Sequence, residues 1–501
     1  MKFYKFFILF LFAGGLITSC SNNDDIEDFP EEKPDNSLTA EEELELEIKD
    51  FEYKAMDIWY YYNDDMDIYN DNYFGNQSEL NEWLMTWDDP EELYYDGLLL
   101  NYPDTDRFSW IVDDYEELEN QFSGTTTSTG IDYGLTYACD GCNNIILYAR
   151  YVLPNTPAED AGIERGMVFT EINGQELNIN NYSSLLAESS WTLTLGEISD
   201  SGVDSTSETI DVSKTTVNEN PVFITKTLDV DGKTVGYIMY NSFIFDYSSE
   251  LNAAFGELKA ANIDELVLDL RYNGGGRIDT AIDLASMITG QFNNEPFVKF
   301  QYNSYIQNVY ESQGSDLTYR MDSTVNSPSG EEGTNSLNLS KVYVIATGSS
   351  ASASELVINS LKPFIDVVHV GTTTVGKVQG SNTFYDSDAP NFDKDNSLNP
   401  DHKYALQPLV LSLVNKNNEA HPEGLSPDVE QREFISTYGI LGDPNEPLLA
   451  TTLELIRTGS RNMIPFEKTG KVPTNVISES KAEQFNYQRM YIDVNLPDQN
   501  N

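Results

Sequence analysis

Apolar residues recur in three rhythms along this chain, and each predicts a different kind of unit. From Leu44 the rhythm is helical: Leu44, Ile48, Phe51, Ala55, Ile58 and Tyr62 return every three or four positions, the spacing that lines one helix face. Thr39-Ala-Glu-Glu42 just ahead reads as a capping box, in which threonine and glutamate satisfy the first free amides. Trp83, Trp87, Leu93, Leu98 and Trp110 suggest further short helices, so residues 38–122 read as a helical domain. The run SGTTTSTG at 123–130 reads as a linker by composition.

From Ile131 to about Val217 the rhythm shortens to strand-like alternation. Tyr133–Tyr137 and Ile145–Val152 read as strands, Pro157–Gly162 as a short helix, and VFTEINGQ at 168–175 as a hairpin turning at Asn173-Gly174. From Thr234 continuous apolar runs alternate with helical stretches. Val235–Tyr240 and Leu266–Leu270 are strands of the kind buried on both faces; Tyr247–Ala261 and Ile278–Ile288 are helices. The pattern repeats at Lys341–Gly380: strand Val342–Ala346, a turn of small residues to Ser352, helix Ala353–Leu361 stopped by Pro363, then strand Val367–Val370. Such alternation predicts an α/β domain with its site in the loops at the C-terminal ends of the strands. Residues 290–340 read as a variable segment partly covering that site. From about Arg461 the chain is polar, and no rhythm places it.

A length of 501 residues suits roughly two to four domains. A net charge of −54 repels phosphate and excludes nucleic acid as a partner. Lys2 and Lys5 before the apolar run Phe6–Phe12 give residues 1–19 the form of a signal peptide, too short to span a bilayer. Residues 20–37, acidic and carrying Pro30 and Pro34, read as a tether. Cys139 and Cys142 lack nearby histidines to complete a four-ligand zinc site, so a turn-closing disulfide is expected and no metal or cofactor is called for.

The turn before Ala353 can place a serine at a helix N-terminus, where free amides and the helix dipole favour an oxyanion. A histidine base for it is hard to find. His369 sits in an apolar strand, and His402 and His421 lie in polar loops. Lysine remains, and it works as a base only when desolvation depresses its pKa. Lys377 follows a buried strand. Gly371–Lys377 also fits a phosphate-loop spacing, but Val378 stands where the magnesium-binding hydroxyl is required, and Gly274–Gly276 is not a dinucleotide fingerprint.

Ser350-Ala-Ser-Ala-Ser-Glu355, the Asp269–Gly276 run, Gly376-Lys377 and Gly424-Leu-Ser-Pro-Asp-Val429 together resemble the C-terminal processing (tail-specific) serine peptidases over residues 130–435. The resemblance implies a multidomain α/β chain: an N-terminal helical cap, a PDZ-like β-rich domain at 125–217, and a peptidase core of the ClpP/crotonase-like type at 220–460, with 461–501 as an extension. It makes Ser352 the nucleophile and Lys377, twenty-five positions later, the general base. Ala353 and Gly275 (or Gly276) become the oxyanion donors. Family members place a glutamine four residues after the lysine; here Ser381 holds that place and Gln379 lies two after, so Gln379 is carried as the third catalytic candidate with Ser381 as its alternative.

Tyr133–Thr136, with Gly134, Leu135 and Thr136 as the binding residues, resembles the carboxylate-binding loop of a PDZ domain, whose backbone amides hold a peptide's C-terminus while the peptide adds as a strand; Gly166-Met167 replaces that family's usual Gly-Asp. The small residues before Cys20 resemble a lipobox, implying lipidation of Cys20. The expectation is a lipid-anchored serine endopeptidase of the bacterial cell envelope, in the outer membrane, facing the periplasm or displayed at the surface, with tail-bearing proteins or peptides as substrates. Two alternatives stand beside it: an inactive peptide- or ligand-binding lipoprotein of the same fold, and a glycan-capturing surface lipoprotein.

Overall fold

Val342, Val344 and Ala346 bury on one side of their strand, and Tyr343 and Ile345 on the other. A strand buried on both sides needs helices above and below it, and that requirement shapes the core. The computed structural model describes residues 38–200, 202–459, 472, 476–485 and 487–496. The expected signal peptide, the whole of the tether and Cys20 lie outside the described residues.

Met1–Glu43 and Leu44–Asn501 are two compact units. Of the first, the described part is the start of helix Ala40–Trp59 and its cap, where Thr39 N–H donates to Glu42 Oε2 at 2.8 Å and Glu42 N–H to Thr39 Oγ1 at 3.3 Å. Everything that follows lies in the second unit.

The central sheet has six strands in the order 222–230, 233–240, 265–269, 341–346, 366–371 and 429–430. The first pair is antiparallel and the rest are parallel. Helices Ser248–Ala260, Ile278–Thr289 and Ala353–Leu361 cover one face, and helix Pro447–Thr458 the other. A second, mixed sheet runs 276–277, 490–491, 379–381, 409–415, 296–302 and 318–320. Pro408, which lacks a ladder donor, separates strand 405–407 from strand 409–415.

Three sequence expectations change here. Residues 290–340 are built into the second sheet through Phe297, Val298 and Phe300, which are buried, rather than forming a cover. The threonine run is not a loose linker: Thr125–Ser128 pairs antiparallel with Thr215–Asn218, as β-branched residues favour. The N-terminal region is not wholly helical. Its strand Trp110–Val112 pairs with 405–407, and Trp59 packs on Phe384 with ring centroids 5.3 Å apart.

Residues 131–213 make a separate antiparallel sheet, order 131–137, 145–152, 168–172, 190–199 and 202–213, with its own apolar cluster around Leu135, Leu147, Phe169 and Leu193. Asn173 and Gly174, both at positive φ, make the expected hairpin turn, and Cys139 and Cys142 are paired. This sheet is fastened to the core by charge. Arg165 donates to Glu433 at 2.7 Å, Glu433 also accepts from Arg271 at 2.9 Å, and Arg271 is fully buried against Asp269 and Glu446. Burial alone would raise the Glu433 carboxyl, but the Arg271 and Arg165 guanidiniums hold it down at about 2.

Asp283, on helix Ile278–Thr289, has no such cations. Burial, with Asp279 and Asp322 nearby, pushes its carboxyl up to about 8. A folded pKa above the unfolded one means the group's contribution is complete in acid and lost as pH rises from about 4 towards 8. Asp283→Asn should therefore raise the melting temperature by several degrees at pH 8, and the gap over the parent should close by pH 4; thermal melts at the two pH values check this.

Candidate active site

The sharp turn between strand 341–346 and helix Ala353–Leu361 has one residue in a costly conformation. Ser352 sits at φ 64°, ψ −116°, a region that side-chain-bearing residues rarely occupy. It lies at the N-cap of the helix, and its Oγ is buried with no hydrogen bond among the described residues. The following amide, of Ala353, opens the helix where donors have no intrahelical partner.

Glu355 explains how the turn is held. Its carboxylate accepts from the Ser352 N–H at 2.8 Å and the Lys377 N–H at 2.9 Å through one oxygen. The other oxygen accepts from the Gly376 N–H at 2.7 Å and the Thr374 hydroxyl at 2.5 Å. One buried side chain thus ties the serine turn to the loop that carries the lysine. Burial raises the Glu355 carboxyl, and these donors offset part of that rise. In the sequence Glu355 stands out only as the last residue of the Ser350–Glu355 motif. The signal for its role was present, since Ser352-Ala-Ser-Glu355 has capping-box spacing.

Lys377 is 1% exposed, and its Nζ makes no hydrogen bond among the described residues. It lies 4.8 Å from the centre of the Phe108 ring. Burial and then the Arg489 guanidinium hold its amine well below the ordinary lysine range; Arg107 adds to this, while Asp106 and Glu355 act against it. Phe108 and Arg489 carried no sequence signal, because both reach the site only through the tertiary fold.

The other candidates fall less simply. Gln379 does not meet Lys377: its amide donates to the Tyr62 hydroxyl at 3.1 Å. Ser381 donates to the Met490 carbonyl at 3.2 Å. Gly275 and Gly276 take φ of 114° and 132°, and a side chain at Gly275 would strike Ser352 Oγ at 2.8 Å, so glycine is required there. Their amides are engaged. Gly275 N–H donates to Asn273 Oδ1 at 2.9 Å, and Gly276 N–H to the Arg489 carbonyl at 2.7 Å. Gly134, Leu135 and Thr136 lie within strand 131–137, not in a loop. His369 is buried, with its Nε2 3.1 Å from the Ala346 carbonyl, and His402 pairs with Asp386 at 2.9 Å. Among the described residues no cluster of His, Cys, Asp and Glu could hold a metal ion, and no helix is long and apolar enough to cross a membrane.

Residues 234–430 match the family model described as peptidase family S41. The match covers less than half of the chain. A carboxyl-terminal-processing protease of Picosynechococcus is 26% identical over 266 residues, covering 52% of this chain and 57% of the relative. A chloroplastic C-terminal processing peptidase of Tetradesmus obliquus is 25% identical over 267 residues, 51% of this chain and 52% of its own length. The chain thus spans little more than half the length of these curated relatives. A solved S41 protease of Bacteroides fragilis superposes with a TM-score of 0.63 at 26% identity, covering 82% of this chain and 97% of that one. Ser352, Glu355 and Lys377 all fall within the segment matched by that family model.

Truncating Glu355 should cost this centre dearly, because each buried donor left unpaired costs ~1–3 kcal/mol. Glu355→Ala is expected to lower unfolding free energy by about 3 kcal/mol or more, read from urea denaturation.

Proposed function

We propose that the chain is a serine-type endopeptidase that cleaves proteins or peptides taken by their C-terminal tails, with Ser352 as nucleophile and Lys377 as general base. The observation that carries this reading is a buried Lys377 amine and a buried hydroxyl on the strained Ser352, both without a hydrogen bond among the described residues, on two residues whose backbone amides meet at one carboxylate. Burying a cation with no acceptor is expensive, and no packing need explains it; a neutral amine is the form the pocket favours.

In this reading Lys377 Nζ accepts the Ser352 Oγ proton as Oγ attacks the scissile carbonyl. The Ala353 N–H, at the positive end of its helix, stabilises the oxyanion, and a glycine amide from Gly275–Gly276 is the second donor. Lys377 then gives its proton to the leaving amine. Water, deprotonated by the same lysine, hydrolyses the acyl-enzyme. Gln379 has no direct part, since its amide is turned to Tyr62. Residues 125–217 serve as the PDZ-like capture domain, adding a substrate tail as a strand along Gly134–Thr136. The 38–122 region acts as a cap that closes over Lys377 through Phe108.

The dyad is tested by peptide cleavage from pH 5 to 10 in the parent, Ser352→Ala, Lys377→Ala and Lys377→Arg. A base with a depressed pKa gains activity as pH rises through that pKa, so the acid limb should fall below the usual lysine range. All three variants should lose turnover by several orders of magnitude, because guanidinium cannot give up its proton usefully. Retained activity in Lys377→Arg would rule out lysine as the base.

The membrane part of the reading rests on Cys20 and the small residues before it. A lipid-modified Cys20 would anchor the chain in the cell envelope, and two or more acyl chains suffice for stable attachment. Cys20→Ala should move the protein from the membrane pellet to the soluble fraction on ultracentrifugation.

A further inference from the structure

The sequence from Val476 to Leu496, VISESKAEQFNYQRMYIDVNL, has no helical or strand rhythm of its own. Its described residues nevertheless touch both places that a bound substrate would need. At one end, Ile477 N–H donates to the Leu135 carbonyl at 2.8 Å, and Ser478 and Glu479 pair antiparallel with Leu135 and Gly134. That is strand addition to the edge proposed for tail capture, made by the chain itself. Glu479 is 7% exposed; its carboxylate accepts from Arg150, from the Ser349 hydroxyl at 2.9 Å and from the Tyr487 hydroxyl. Apart from Glu479, the acid nearest Arg150 is Asp132, at 4.0 Å.

At the other end, Gln488 and Arg489 lie against the glycines beside the nucleophile. Gln488 N is 3.2 Å from the place a side chain on Gly274 would fill. The Arg489 carbonyl oxygen is 2.6 Å, and Ser352 Oγ 2.8 Å, from the place a side chain on Gly275 would fill, so the two are neighbours. That carbonyl accepts the Gly276 N–H at 2.7 Å, as a scissile carbonyl would. Met490 and Tyr491 then pair in parallel with Gly276 and Arg277. The Arg489 guanidinium stacks 4.1 Å over Trp110 and faces Lys377, whose amine it opposes.

We infer that the described residues 477–485 and 487–489 keep the site closed, 477–479 occupying the capture edge and 487–489 covering the nucleophile, and that a peptide with a free α-carboxylate must displace them to open it; the inference rests on the peptidase reading above. The Glu479 carboxylate stands for the tail's terminal carboxylate. It sits at the last paired position of a strand running in the direction a captured tail would run, and a departing Glu479 leaves Arg150 without its near acid. The Arg489 carbonyl occupies a place the substrate carbonyl would take. Arg489 follows Glu479 in the chain, whereas a substrate's scissile carbonyl precedes its terminal carboxylate, so the two ends block the two places separately rather than imitating one bound peptide. Because the competitor is tethered, its effective concentration is on the order of millimolar, so weak or poorly fitting tails fail to dislodge it. The same segment joins the two sites, so release at the capture edge loosens the backbone that covers Ser352. This accounts for a nucleophile and a base that are both buried in the described structure.

The test uses the full chain, a fluorophosphonate probe, and an octapeptide ending in Leu-Val-Leu as free acid and as amide. Ile477→Pro removes the donor to Leu135 without touching Ser352 or Lys377. Ser352 in Ile477→Pro should label at least tenfold faster than in the parent. The free-acid peptide should speed the parent towards the variant and leave the variant unchanged, and the amide should do less. Glu479→Gln, which keeps the shape and loses the charge, should fall between the two. In parallel, hydrogen exchange at the amides of 477–479 should quicken in the parent when the acid peptide is added, while those of 133–136 stay protected. Equal labelling of parent and both variants, or unchanged exchange at 477–479 with saturating peptide, overturns the inference. If Ser352 resists the probe in every form while exchange shows displacement, the resident strand stands and the peptidase reading falls.

Discussion

One buried carboxylate organises this protein's chemistry. Glu355 sits on the first turn of a helix and accepts four donors from two separate segments. Neither segment would hold its shape alone. Ser352 occupies a backbone conformation that costs on the order of 1–3 kcal/mol, and the 374–377 stretch is an irregular loop with no ladder to fix it. Binding both to one anionic group converts two weak local structures into one rigid unit. The carboxylate therefore has to be buried and yet charged, and the backbone amides are what make that affordable. A neutral isostere such as glutamine could accept at one atom only and would turn an NH2 towards donors.

The second constraint is the join between the 131–213 sheet and the core. Arg165 comes from a turn of the 131–213 sheet, while Arg271 and Glu433 come from the core, and they meet in one network with Glu446 and Asp269. Buried ion pairs are weak stabilisers compared with apolar packing, but losing one partner leaves an uncompensated charge. Such a joint is specific in geometry and unforgiving of slippage. It also lies close to the strands that lead to the serine turn, since Asp269 ends strand 265–269 and the Thr347 hydroxyl bonds to the Arg271 carbonyl. A cleft of about 1130 Å³ opens alongside, lined by Thr136, Arg150, Ser349, Thr373, Glu433 and Glu479. Ser352 and Lys377 do not line it.

The core was legible in sequence wherever burial imposes a rhythm. Continuous apolar runs such as Leu266–Leu270 and Val342–Ala346 marked the parallel strands, and Pro363 marked the helix end, because sterics allow little else there. The serine turn could be read because a strand, small residues and a helix in that order leave few conformations. What escaped was anything decided by long-range pairing. The threonines of 125–128 looked like a linker until their partners at 215–218 were in place. Residues 476–496 have no period, since they pair with three different neighbours over a short span: the 131–137 edge, the Gly274–Gly276 turn and the 379–381 strand. Gln379 was chosen by its offset from Lys377, but strand 379–381 fixes where its side chain goes, and Tyr62 is the partner there.

The position of Arg489 links access to reactivity. In the described state its carbonyl occupies the Gly276 amide and its guanidinium stands near the Lys377 amine. A cation beside a lysine favours the neutral amine, so under the proposed roles the described state holds Lys377 ready as a base and the Gly276 amide occupied. Removing the segment frees the amide and withdraws the cation together. Lysine basicity then rises, unless an incoming chain replaces the lost desolvation. A substrate that fills the cleft as fully as residues 487–489 do would keep the amine buried while presenting its own carbonyl to Gly276. Water alone would do neither. Under the proposed peptidase reading, coupling of this kind would select for extended peptides that reach from the 131–137 edge to Ser352, because only they would restore the dry environment that a lysine base requires.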